Sequence, residues 1–121
     1  MEDKAFRMTM LFDFYGDLLT DRQREFFDLY HNEDLSLAEI AENAGITRQG
    51  VRDVLVRAEA TLNEFEEKTG LIQRFLKVRA GLHRIEADAA QIAALNNGRF
   101  RSTELSELTD SIRTTVTMLK E

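Results

Sequence analysis

The chain has 121 residues, 43% of them hydrophobic and 31% charged, with a formal net charge of −6. That is the length of one domain with a real core, and the acidic balance argues against bulk affinity for nucleic acid, where phosphate neutralisation supplies most of the binding. With no cysteine, disulfides, thiolate metal sites and thiol catalysis are excluded; with no proline and only six glycines, little interrupts helices.

In chain order, Lys4 to Tyr15 places Phe6, Met10 and Phe14 on one side at helical spacing, with Leu11 beside them, and Gly16 can end that helix in the left-handed conformation. Thr20 with Gln23 forms a capping box for a helix from Asp21 to about His31, which buries some combination of Phe26, Phe27 and Tyr30. His31 to Asp34 is a polar turn. Ser36 with Glu39 is a second capping box, opening a short helix from Leu37 to Asn43. Gly45 supplies the positive φ of a tight turn, and Thr47 caps a long helix that runs to Lys68 or Thr69 before Gly70. Leu71, Phe75, Val78, Leu82, Ile85, Ala89 and Ile92 then form a heptad seam over three repeats. Asn96-Asn97-Gly98 breaks this helix, and a last one from about Thr103 carries Leu105, Leu108, Ile112, Val116 and Leu119. No strand alternation is present. The expected fold is all-α: a helix-turn-helix domain over residues 1–69, with its motif at 37–56, and a C-terminal antiparallel hairpin over 70–121.

The motif has physical detail behind it. Ala41 is small where two helices cross, Ile46 plugs the turn, and Val51 and Val54 face back onto Leu37 and Ile40. The stretch Leu19 to Leu62 resembles region four of bacterial sigma factors, which binds promoter DNA. The longer stretch Met8 to Phe75 resembles the YlxM family more closely. The parts that carry this likeness are "LFDFY" before "LLT", the run "DLSLAEIAE", and "TRQGV". YlxM-like proteins are small bacterial helix-turn-helix proteins whose genes usually sit beside that of the signal recognition particle GTPase. The resemblance implies a non-enzymatic, regulatory role near that pathway, with the particle's RNA or GTPase as partner; it does not settle a DNA target, and a DNA-binding transcription regulator and a protein-binding adaptor without nucleic acid stand as the alternatives.

Thr47, Arg48, Gln49, Arg52 and Arg57 are the candidate contact residues of the long helix. In a DNA reader, residues near the start of this helix reach base edges, with Arg to guanine and Gln to adenine. Against that stand Asp53 in the exposed stripe, Glu39 and Glu42 on the preceding helix, and Val56 where a phosphate contact would be useful. The plain alternative is a solvated face with Arg57 close to Asp53. Arg74, Lys77, Arg84, Arg99 and Arg101 offer a second basic surface, suited to RNA, where shape and phosphate dominate recognition; Glu86, Asp88, Glu104, Glu107 and Asp110 dilute it. The seam Leu71, Phe75, Val78, Leu82, Ile85 and Ile92 packs within the chain or against a second copy, and a homodimer is expected because a hairpin alone has few partners for so regular a seam. His31 and His83 lack spaced ligand partners, and no phosphate-cradling loop or nucleophile–base pair is present, so no enzyme, metal or cofactor is expected. No apolar stretch approaches the ~20 residues that span a bilayer. The charged start, Met1-Glu2-Asp3-Lys4, is unlike a signal peptide. A cytoplasmic protein without membrane insertion is expected.

Overall fold

The computed structural model describes residues 3–120; Met1, Glu2 and Glu121 lie outside it. The described residues form six α-helices and no strand: α1 (Lys4–Tyr15), α2 (Asp21–Phe27), α3 (Leu37–Ala44), α4 (Arg48–Thr69), α5 (Leu71–Leu95) and α6 (Thr103–Lys120). The fold is the all-α helix-turn-helix expected from the sequence. Two compact units divide the chain, residues 1–72 and 73–121.

Local chemistry sets most helix ends. Thr20 Oγ1 accepts from the Gln23 N–H while Gln23 Oε1 accepts from the Thr20 N–H, and Ser36 and Glu39 make the same reciprocal pair at α3. Each box satisfies two amide donors that the first turn would otherwise leave open. Gly45 takes φ 69° at the end of α3 and Gly70 takes φ 63° at the end of α4, values that a side chain would disfavour. One expectation fails here. Gly16 is right-handed, φ −55°, because the chain continues from α1 into a 3-10 turn over Gly16–Leu18. At the hairpin α5 ends at Leu95, where Asn96-Asn97-Gly98 was expected to break it, and a π-type turn over Asn96–Phe100 leads to Arg101, which is left-handed with φ 48°. A similar π-type turn, Asp28–Asn32, extends α2.

The core of the front unit is continuous from α1 to α4. Leu11, Phe27, Ile40, Val51, Ala58 and Leu62 have no exposed surface, and Phe26 is 2% exposed. Helix α1 turns a different side inward from the one its spacing suggests. Met8, Leu11 and Tyr15 are buried, whereas Phe6 and Phe14 are exposed. The helix is apolar on several sides, and specific partners decide: Phe12 stacks on Phe27 with centroids 5.2 Å apart, and Tyr15 stacks on Phe65 at 5.9 Å. In the rear unit α5 and α6 lie antiparallel. Asn96 Nδ2 donates to Ser106 Oγ beside the turn, and Lys120 Nζ reaches Glu86 Oε1 at 3.4 Å near the open end.

Candidate nucleic-acid interface

Helix α4 is seated by its capped first turn and its buried inner line. Thr47 Oγ1 accepts from the Gly50 N–H at 2.9 Å, which fixes the first turn. Val51, Leu55, Ala58 and Leu62 form the buried line, with Ile40 and Ala41 of α3 also buried. At about 100° per residue, Gln49, Asp53 and Val56 face away from that line. Arg48 and Arg52 lie one turn apart on one flank. Arg57 lies roughly 140° around the helix from Arg52, so the five candidate residues do not form a single surface.

The centre of the outer face is chemically poor for phosphate. Gln49 Nε2 donates to Asp53 Oδ1 at 2.9 Å, so the amide that would read adenine is engaged by a carboxylate beside it. Arg57 makes no ion pair with Asp53 among the described residues; the hydrogen bond that Asp53 Oδ1 accepts comes from Gln49, one turn before. Val56 is 56% exposed next to this pair. Arg48 and Arg52 have no ion-pair partner among the described residues and remain available cations.

Beside Arg52 lies a feature that sequence reasoning missed. A cleft of about 240 Å³ is lined by Lys4, Tyr30, His31, Arg52, Val56 and Glu59, with Leu37 and Leu55 completing it. Its residues come from α1, the turn after α2, α3 and α4, so no local spacing announces it. Lys4 Nζ sits 4.0 Å from Glu59 Oε1. His31 packs against Phe27 at 4.2 Å and edge-on to Tyr30 at 5.0 Å. Burial is the main cause that lowers its pKa below the usual histidine value; Glu59 opposes this and Lys4 adds to it. The unfolded chain therefore binds a proton at His31 before the folded chain does. Its contribution is present above the ordinary histidine pKa and declines as pH falls below it. Urea midpoints measured at pH 7.5 and 5.5 should show a smaller acid loss in His31→Gln than in the native chain; an equal loss in both would contradict this assignment.

In the rear unit Arg74, Lys77, Arg84, Arg99 and Arg101 are all exposed. They are spread rather than gathered. Lys77 and Arg84 share a side of α5, two turns apart, whereas Arg74 and Leu95 mark positions about 32 Å apart along the helix by its rise of about 1.5 Å per residue, and Arg99 and Arg101 lie beyond Leu95. Phe100, between these two arginines, is 63% exposed. Two other rear cations have partners: Arg79 lies over the Phe75 ring at 5.7 Å, and Lys120 reaches Glu86 and His83. Among the described residues no group of His, Asp or Glu is arranged to hold a metal ion, and no helix is long and apolar enough to cross a membrane.

The family model described as "Putative helix-turn-helix protein, YlxM / p13 like", UPF0122, matches residues 2–97. The chain belongs to the UPF0122 family. Among its relatives, a UPF0122 protein of Thermoanaerobacter sp. (strain X514) is 51% identical over 86 residues, covering 71% of this chain and 74% of the relative. The Desulforamulus reducens UPF0122 protein is 55% identical over 69 residues, 57% of this chain and 59% of its own length. That of Bacillus cereus (strain AH187) is 52% identical over 75 residues, 62% and 68%. The UPF0122 match takes in the whole helix-turn-helix and all of α5, and stops inside the turn before α6.

Proposed function

We propose that this UPF0122 chain is a non-enzymatic, cytoplasmic regulatory protein of the signal recognition particle pathway, and that it acts as a homodimer binding the particle's RNA through the Arg48 and Arg52 flank of α4. The observation that carries this reading is the Gln49–Asp53 pair, flanked by exposed Val56, at the centre of the outer face. A base-reading helix needs free donors at that centre, whereas an RNA backbone contact needs only the two flanking cations. The pathway itself enters from the resemblance to YlxM-like proteins. The GTPase as partner is a second reading, favoured by the part-apolar cleft beside Arg52. DNA regulation through Thr47, Arg48, Gln49 and Arg52 is a third, favoured by the capped helix-turn-helix alone.

Fluorescence anisotropy with the particle RNA and with duplex DNA, across a salt series, separates these readings. The RNA should bind more tightly than the duplex, with a slope of log K on log salt of about −2 for two phosphate contacts. Arg48→Ala and Arg52→Ala should each cost about tenfold or more in affinity, the scale of a charged hydrogen bond. Arg57→Ala should cost little. Tighter binding to duplex DNA, or RNA binding untouched by both substitutions, would overturn the RNA reading; capture of the GTPase without RNA would support the second.

A further inference from the structure

The α5–α6 hairpin fixes its own register. At the turn Asn96 Oδ1 accepts from the Ser102 N–H at 2.7 Å, and Asn96 Nδ2 donates to the Ser102 carbonyl at 2.8 Å and to Ser106 Oγ at 3.1 Å. Asn96 is 2% exposed, so this tie is shielded from water. Near the open end Lys120 Nζ reaches Glu86 Oε1 at 3.4 Å. Between these two ties, antiparallel counting sets Ile92 level with Ile112 and Ile85 level with Leu119. Both pairs of positions are one heptad apart on their helices.

All four side chains are exposed: Ile85 47%, Ile92 41%, Ile112 38% and Leu119 64%, with Leu108 at 55% one turn before Ile112. They also share one side of the hairpin. On α5 they are turned about 60–80° from the line of Leu82 and Ala89, and on α6 by a similar angle in the same sense from Thr109 and Val116. Ala89, Thr109 and Val116 are buried. Because the helices are antiparallel, equal turns in each helix's own frame bring both stripes to the same side. The face is about 27 Å long, from the 18 residues of α6. Two helices side by side make it roughly 20 Å wide. That is on the order of 500 Å² in projection, before side-chain relief is counted. A stable dimer buries about 800 Å² of accessible surface per partner.

We infer that this composite face binds a second copy of the chain, forming a four-helix bundle in which α5 packs on α6 of the other copy. This rests on the homodimer in the proposed function and adds helix α6 to its interface. A two-fold axis parallel to the hairpin keeps every residue at its own height and lays one copy's α6 over the other's α5. One level then holds two Ile85 and two Leu119, and the next holds two Ile92 and two Ile112. Such layers are the packing unit of bundle cores. A partner of unrelated sequence would have to reproduce this spacing on two helices; a second copy presents it by symmetry.

Sedimentation equilibrium of the full chain at micromolar concentration should give twice the 13.9 kDa chain mass. Ile92→Glu and Ile112→Glu should each weaken the dimer by about a hundredfold or more, the cost of burying an unpaired charge, with unchanged helical content by circular dichroism. Cysteine mapping keeps the test open should either variant unfold, since the native chain has no cysteine. Mixed Ile92→Cys and Ile112→Cys chains should oxidise to mixed disulfides in preference to either homodisulfide. A native mass of one chain would overturn both the homodimer and this face. A dimer that ignores both glutamates, or that prefers homodisulfides, would overturn the face while leaving a homodimer formed elsewhere.

Discussion

Phe27→Ala is expected to destabilise the chain by about 3–5 kcal/mol, the range for removing a fully buried phenylalanine. Phe27 has no exposed surface. Its ring stacks on Phe12 with an interplanar angle of 7° and touches the His31 ring on another side. Alanine there removes both ring contacts and leaves a cavity between α1 and the turn after α2. A domain of this size is held by about 5–15 kcal/mol, so one substitution takes a large share, and the seating of α4 goes with it. Phe14→Ala is the control. Phe14 is 37% exposed on the same helix as Phe12, and its loss should cost about 1 kcal/mol, the typical value for a point substitution. Urea unfolding of both variants measures the contrast. A larger loss for Phe14 than for Phe27 would mean that the inward face of α1 has been wrongly assigned.

That contrast also marks the limit of reading this fold from its sequence. The helix-turn-helix is legible because its signals are local: two capping boxes, a left-handed Gly45 and the Thr47 cap each act within four residues. The inward face of α1 is not local. Besides Tyr15, six of its positions are large and apolar, so periodicity fits Phe6, Met10 and Phe14 on one side and Met8, Leu11, Phe12 and Tyr15 on another. Tyr15 instead turns inward because Glu66 and Thr69, more than fifty residues later, accept and donate at its hydroxyl. The same limit hides the cleft beside Arg52, assembled from four segments. The separation of Arg57 from Arg52 was available in helical arithmetic. Asp53 has two i,i+4 neighbours, Gln49 and Arg57, and spacing alone does not show that Gln49 is the one that bonds it. In the rear unit the α5 seam is visible as a heptad, but half of the apolar face belongs to α6. It becomes visible only once the Asn96 and Lys120 ties set the register.

Glu66→Ala is expected to cost about 2–4 kcal/mol, because this one carboxyl group joins three helices. Glu66 Oε1 accepts from the Tyr15 O–H of α1 at 2.6 Å and from the Ile72 N–H in the first turn of α5 at 2.9 Å, while Glu66 itself belongs to α4. The Tyr15 proton is committed to Glu66, so the Thr69 hydroxyl, also 2.6 Å away, is the donor in its contact with Tyr15. Tyr15 is 3% exposed and Glu66 9%. Alanine at 66 would leave the Ile72 amide, an open donor of a helix start, without its acceptor in a dry site. Glu66→Gln keeps an acceptor oxygen and should cost much less than alanine. Tyr15→Phe should cost about 1–2 kcal/mol, and the double variant should lose less than the sum, since both remove the same bond. A pH readout separates this bond from simple packing. Burial first, then the hydrogen bond to Glu66, raises the Tyr15 pKa above its ordinary 10.0. The unfolded chain thus loses the phenolic proton before the folded chain does, so the Tyr15 contribution is full below pH 10 and falls as pH rises beyond it. Stability measured from pH 9 to 11 should therefore fall more steeply in the native chain than in Tyr15→Phe. Parallel curves, or strict additivity in the double variant, would show that Tyr15 and Glu66 act independently.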